Sequence, residues 1–163
     1  MRAADVLAVQ YEEVTFAEVH RDVLSPVPAE PARILDIGAG TGRDAAALAA
    51  LGHSVVAVEQ TAELRGHGQR IHAGSAVEWV DDALPALSLH QCPGRFAAVF
   101  ATAAWMHLDA EERGLAMARI AALLMPGGQF FVNLRHGPAP NRRHMFEVSS
   151  LVFQAKDSRN ALD

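Results

Sequence analysis

The chain has 163 residues, 50% of them hydrophobic and 20% charged, with a formal net charge of −5. That is the composition of one globular domain with a buried core, and its scattered basic residues argue against a nucleic-acid groove or an anionic membrane surface. The single cysteine, Cys92, excludes an internal disulfide, and no apolar run reaches the ~20 residues of a bilayer span. Acids among the apolar positions of "MRAADVLAVQYEEV" make a poor signal peptide, so the expected location is cytoplasmic.

In chain order, the apolar spacing of Val6, Leu7, Val9, Tyr11, Val14, Phe16 and Val19 predicts a helix over 3–24. "SPVPAEP" breaks it. "RILDI" (33–37) reads as a buried strand, "GAGTG" as a loop, and 43–51 as a helix stopped by Gly52. "SVVAVE" (54–59) is a second, β-branched strand. A weak helix over 61–72 leads to a third strand at 76–80, ending at Asp81 and Asp82, and "RFAAVFAT" (95–102) is the fourth. Residues 109–125 form the clearest helix, opened by an Asp109/Glu112 capping box and stopped by "PGG". "QFFVNL" (129–134) is the fifth strand. This divides a single domain of 1–163 into an N-terminal helix and Pro-rich linker (1–31), a core (32–134) and a short tail (135–163).

Strands alternate with helices, and the strands are continuous apolar runs. Those are the marks of an α/β fold with a mostly parallel sheet covered on both faces. Ligands of such sheets sit beyond the strand carboxyl ends. Gly38, Gly40, Gly42, Glu59, Asp81 and Asp82 all fall there, on one rim.

The glycine spacing separates possible ligands. A dinucleotide turn needs G-x-G-x-x-G, but Arg43 stands where its third glycine belongs, and Asp36 would face a pyrophosphate. No Gly-Lys-Ser/Thr follows, as a P-loop requires. A cationic nucleoside without phosphate suits the rim better. The glycine amides and helix start can meet a carboxylate, with Asp36 on the ammonium side. Glu59 can accept two ribose hydroxyls, and Asp82 or Asp81 can accept from an adenine amino group.

"LDIGAGTGRDA", "VVAVE", "WVDDAL" and "LLMPGGQFFV" resemble the successive motifs of the class I S-adenosylmethionine-dependent methyltransferases, over about residues 33–134. The resemblance implies a three-layer Rossmann-like open sheet of strand order 3-2-1-4-5. It implies S-adenosylmethionine as cofactor, S-adenosylhomocysteine as product, and no metal. It assigns cofactor contact to Asp36, Gly38, Gly40, Gly42, Glu59 and Asp82, and at the end of the fourth strand to Ala101 and Thr102. Ala39, Asp44, Gln60, Asp81 and Ala83 complete the expected cofactor site. Family members usually continue with a helix and a closing antiparallel hairpin. Only 29 residues follow residue 134 here, so that hairpin is expected to be missing.

Methyl transfer from a sulfonium needs alignment first, and a base only if the acceptor must lose a proton. The acceptor pocket is expected around "TAAWMHLDAEE", with Trp105 and His107 as candidates and His136 after the fifth strand. His67 and His72 lack the partners of a metal site. The expected function is methylation of a small molecule. The alternatives are a non-catalytic or shortened cofactor-binding module, or a nicotinamide-dependent oxidoreductase. An apolar fifth strand at the sheet edge suggests a homodimer through residues 129–155.

Overall fold

The structure, a computed structural model, describes residues 3–21, 27–88, 95–102 and 104–133. Two helices open it, α1 (Ala3–Glu12) and α2 (Phe16–Val19). Then come β1 (Arg33–Ile37), α3 (Arg43–Ala50), β2 (Ser54–Val58), α4 (Ala62–Ile71), β3 (Val77–Val80), β4 (Phe96–Thr102), α5 (Ala110–Leu123) and β5 (Leu124–Asn133). The sheet has the order β3-β2-β1-β4-β5, and every pairing is parallel. Strand order and layering agree with the sequence. The expected tail of 135–163, with Arg135 and His136, lies outside the described residues, as does the segment 149–155.

Period-two alternation along the strands builds two cores. On one face Leu35, Ile37, Val56, Val58, Val99 and Ala101 pack against Ala116, Ile120 and Leu123 of α5. On the other, Ile34, Val55, Ala57, Ala98 and Phe100 meet Ala45 and Leu48 of α3, with Phe16 of α2. Strands buried on both faces need apolar residues at every position, which is why they read as unbroken runs. Asp36 has the parity of Ile34, so it points toward α3, beneath its N-terminus.

Two elements differ from the sequence reading. The predicted helix over 3–24 is broken: Thr15 is extended (φ −77°, ψ 158°) and caps α2 through a box with Glu18. The capping geometry removes Thr15 from any continuous helix. The helix predicted over 109–125 ends at Leu123, and β5 starts at once, at Leu124. Its register then jumps, from Phe96↔Leu124 to Ala98↔Gln129. Pro126, Gly127 and Gly128 therefore form an irregularity within an edge strand, where a missing N–H is tolerated.

Polar contacts fasten α1 to the rest. Arg43 Nη1 donates to the Tyr11 carbonyl (3.2 Å) and Thr41 Oγ1 to Glu12 (2.6 Å), while His67 and His72 of the α4 region pair with Asp5 (3.0 Å) and Glu12 (3.3 Å). Arg119 of α5 reaches the Leu87 carbonyl with Nε (3.2 Å) and Nη2 (2.9 Å), tying down the loop after β3. No described helix is long and apolar enough to cross a membrane.

Trp79 lies against α4 at Gly68. A Cβ there would meet the Trp79 ring at 2.4 Å and the Thr41 carbonyl at 2.5 Å. Alanine favours helix over glycine by about 1 kcal/mol, but the obstructing carbonyl belongs to backbone. Gly68→Ala is therefore expected to destabilise the fold by about 1–3 kcal/mol net. Urea unfolding checks this, and a stability equal to or above wild type would refute the packing constraint.

Candidate functional site

The carboxyl ends of the strands and the N-terminal helices enclose a cavity of about 1170 Å3. A cleft for one drug-sized ligand measures roughly 300–1,000 Å3, so there is room for a nucleoside-sized ligand and a second small molecule.

The cavity floor is the turn after β1. Gly38, Gly40 and Gly42 have φ of +69°, +59° and +80°, a left-handed region that disfavours a Cβ. Each also has a protein neighbour where a side chain would begin. A Cβ on Gly38 would lie 2.9 Å from Ala104 Cβ, on Gly40 3.2 Å from the Tyr11 ring, and on Gly42 2.5 Å from the Trp79 ring. The closest approach to these glycines is thus made by the protein itself. Gly42 is buried beneath Trp79 and does not line the cavity, whereas Gly38, Ala39 and Gly40 do.

The amides of the turn are engaged too. Gly38 and Ala39 both donate to the Val58 carbonyl (2.8 and 3.0 Å), Gly42 donates to the Ala39 carbonyl (2.8 Å), and Gly40 to Glu59 Oε2 (2.9 Å). Each of these four turn amides thus has an acceptor within the protein. Glu59 follows β2 and is 7% exposed. Its other oxygen, Oε1, accepts the Thr61 amide at 2.7 Å. Each carboxylate oxygen keeps a further lone pair, and Glu59 lines the cavity.

Two more buried acids sit beside it. Asp44, 4% exposed, opens α3. Its Oδ1 accepts from Arg43 Nε (2.7 Å), and its Oδ2 pairs with His20 Nε2 (2.7 Å) and accepts from Thr102 Oγ1 (3.0 Å). Burial pushes its carboxyl up, but the hydrogen bonds from His20 and Arg43 outweigh that and hold it below the ordinary range. Asp36 is 1% exposed, and neither of its oxygens has a hydrogen-bond partner. Burial, then the Asp44 charge, push it well above the usual carboxylate range; Arg43 and the Ala45 amide oppose this without cancelling it.

Of the residues expected at a cofactor site, Asp36, Gly38, Ala39, Gly40, Asp44, Glu59, Gln60, Asp82, Ala83 and Thr102 line the cavity. Asp82 Oδ1 accepts the Ala83 amide (2.8 Å). Its neighbour Asp81 instead pairs with Arg65 (2.9 Å) and is mostly exposed, so it points away. Ala101 is fully buried in the α5-facing core. Trp105 is core as well, edge-on to Phe130 at 5.6 Å, and not a pocket wall. His107 is exposed and lines the cavity, and His136 lies outside the described residues. Tyr11, Leu7 and Ala4 of α1, and Met106, also line it without having been singled out. Their i, i+3, i+7 spacing marks one face of a helix, but not what that face covers. Among the described residues, no group of three or more His, Cys, Asp or Glu is placed to hold a metal.

The profile of a family described as "Methyltransferase domain" matches residues 34–128. No curated protein matches the chain in sequence. Several crystal structures share the fold. The PH0226 protein of Pyrococcus horikoshii OT3 superposes with a TM-score of 0.64 at 20% identity, over 76% of this chain and 57% of that one. A TehB-like SAM-dependent methyltransferase of Corynebacterium glutamicum gives 0.66 at 21% identity, over 79% and 71%. The 1,6-didemethyltoxoflavin-N1-methyltransferase of Burkholderia thailandensis, solved with bound 1,6-didemethyltoxoflavin and S-adenosylhomocysteine, gives 0.56 at 29% identity, over 84% and 64%. The chain thus spans between about six and seven tenths of the length of these proteins.

The unpartnered acid carries a measurable cost. Asp36's folded state favours the protonated carboxyl, so its contribution to stability is complete below the ordinary Asp range and is lost as pH rises toward its elevated folded value. Asp36→Asn, neutral at every pH, is expected to stabilise the protein by about 1–3 kcal/mol at neutral pH. That gain should shrink as pH falls through the usual carboxylate range. Denaturation curves at several pH values test this, and a variant less stable than wild type at neutral pH would contradict it.

Proposed function

The chain belongs to the methyltransferase domain family, and from that premise we propose that it binds S-adenosylmethionine in the rim cavity and methylates a small-molecule acceptor. The observation that carries the proposal is Asp36: a buried carboxyl without a partner beside a cavity whose walls also hold Asp44, Glu59 and Asp82. Such walls fit a ligand bearing positive charge and no phosphate, and they disfavour the pyrophosphate of a nicotinamide cofactor. When bound, S-adenosylmethionine supplies a methyl group already activated by its sulfonium, leaving alignment as the protein's main task.

The chain's own residues divide that task. Asp36 and Asp44 face the ammonium end. Glu59, its two oxygens steadied by the Gly40 and Thr61 amides, offers its remaining lone pairs to the ribose hydroxyls. Asp82, on the loop that Arg119 tethers, serves the adenine side. The acceptor is assigned to the apolar lining residues Leu7, Met106 and Leu108, next to His107. The small-molecule acceptor is supported by the Burkholderia thailandensis N1-methyltransferase, solved with bound 1,6-didemethyltoxoflavin. The same proposal places the protein in the cytoplasm. β5 is one of the two edge strands among the described residues, which supports homodimerisation through residues 129–155; light scattering that finds only monomer at high micromolar concentration would remove that part.

Calorimetry should show S-adenosylhomocysteine binding and no binding of NADH. Glu59→Ala should weaken S-adenosylhomocysteine by about 1.5–3 kcal/mol, or roughly 10- to 100-fold. A folded variant with wild-type affinity would overturn the ribose assignment. Transfer of labelled methyl groups from S-adenosylmethionine into a small-metabolite extract tests the reaction itself.

A further inference from the structure

We propose that His20 is a positioning residue for the amino-acid end of the cofactor, acting through Asp44 and never touching the ligand; this rests on the cofactor reading above. His20 follows α2 and is 2% exposed. Its ring is held between Phe16, with centroids 4.6 Å apart, and Phe100, edge-on at 5.5 Å. It does not line the cavity; Asp44 does. Asp44 is oriented by donors from three separate parts of the chain: His20 after α2, Arg43 in α3 and Thr102 in β4. A buried carboxylate fixed in this way presents its charge to the cavity in one direction.

The second ring nitrogen decides the chemistry. His20 Nδ1 is buried with no partner. A neutral imidazole puts its one proton on Nε2, donates to Asp44 and leaves Nδ1 bare. A second proton would sit on Nδ1 among aromatic carbons, and the new positive charge would face Asp44. The charged and titratable groups around this ring are Asp44 and Arg43 from α3 and, beyond Asp44, Asp36 from β1. Thr102 from β4 and the two phenylalanines are neutral. Arg43 already gives Asp44 one internal cation at 2.7 Å, so a neutral His20 ring adds a donor that holds the carboxylate's orientation without setting a second positive charge against a ligand ammonium.

The consequence distinguishes two ligands. S-adenosylhomocysteine carries the amino-acid end. 5′-Methylthioadenosine keeps the adenosine and the thioether but lacks that end. His20→Phe removes the donor to Asp44 and should weaken S-adenosylhomocysteine about tenfold while keeping its affinity for 5′-methylthioadenosine. His20→Gln keeps a neutral N–H donor and should restore most of the affinity for S-adenosylhomocysteine.

Calorimetric titrations of the full chain read all of this without turnover. An affinity for S-adenosylhomocysteine as low in His20→Gln as in His20→Phe overturns the proposal and leaves the cofactor reading intact. So does equal weakening of both ligands in His20→Phe, which would mark His20 as structural only. Failure of both ligands to bind the wild-type protein overturns the cofactor reading, and the proposal with it. Proton NMR of the ligand-free chain gives an independent check. A slowly exchanging His20 Nε2–H resonance should be missing from His20→Gln and moved upfield in Asp44→Asn. Its absence from wild type would dispose of the His20–Asp44 pair whatever binds in the cavity.

Discussion

One carbonyl governs the geometry of the rim. Val58 O accepts from two successive amides, Gly38 and Ala39, and so ties the exit of β1 to the end of β2. A chain leaving a strand into that tie has to turn through left-handed backbone at alternate positions, which only glycine accepts without strain. The turn then delivers α3 directly above β1, over Asp36. Every later feature of the cavity follows from this placement: the carboxylate of Asp44 beside Asp36, the Gly40 amide on Glu59, and the Arg43 guanidinium within reach of α1.

The same tie concentrates acids where a fold would rather have none. Asp44 is reconciled with burial by three donors, and Glu59 by two backbone amides. Asp36 has only the Arg43 charge and the Ala45 amide, which do not offset its burial. Stability and ligand recognition pull in opposite directions at this residue, a common arrangement at sites where local rules are broken. The acids also share a short supply of cations: Arg43 already serves both Asp44 and the Tyr11 carbonyl.

Much of this was legible in the sequence because the signals are local. Strands buried on both faces appear as "RILDI", "SVVAV" and "FAAVFAT", and the acids that end β1, β2 and β3 can be counted onto one rim. What was not legible depends on distant partners. His20 meets Asp44 across 24 residues, and Tyr11 meets the glycine turn across about 30; no spacing rule encodes either pairing. Trp105 stood out as a candidate because it sits in a loop rich in chemistry, yet the turn over Trp105–His107 carries it in the core. "PGG" looked like the end of a helix and the start of a gap. An edge strand, paired on one side only, accommodates it. The break at Thr15 was written in "TFAE", a capping box masked by apolar spacing that continues across it.

The Arg119–Leu87 contact links parts of the cavity that are far apart in sequence. The loop carrying Asp82, Ala83 and Leu84 hangs from α5 by that guanidinium, and the Trp105–His107 turn runs into the same helix through the Asp109 cap. The loop after β3 and the Trp105–His107 turn are therefore both carried by α5. The opposite wall is α1 with α2, fastened by side-chain bridges and few deeply buried apolar groups, so a ligand that touches both walls adds its own contacts to that fastening and stabilises the N-terminal helices by linkage.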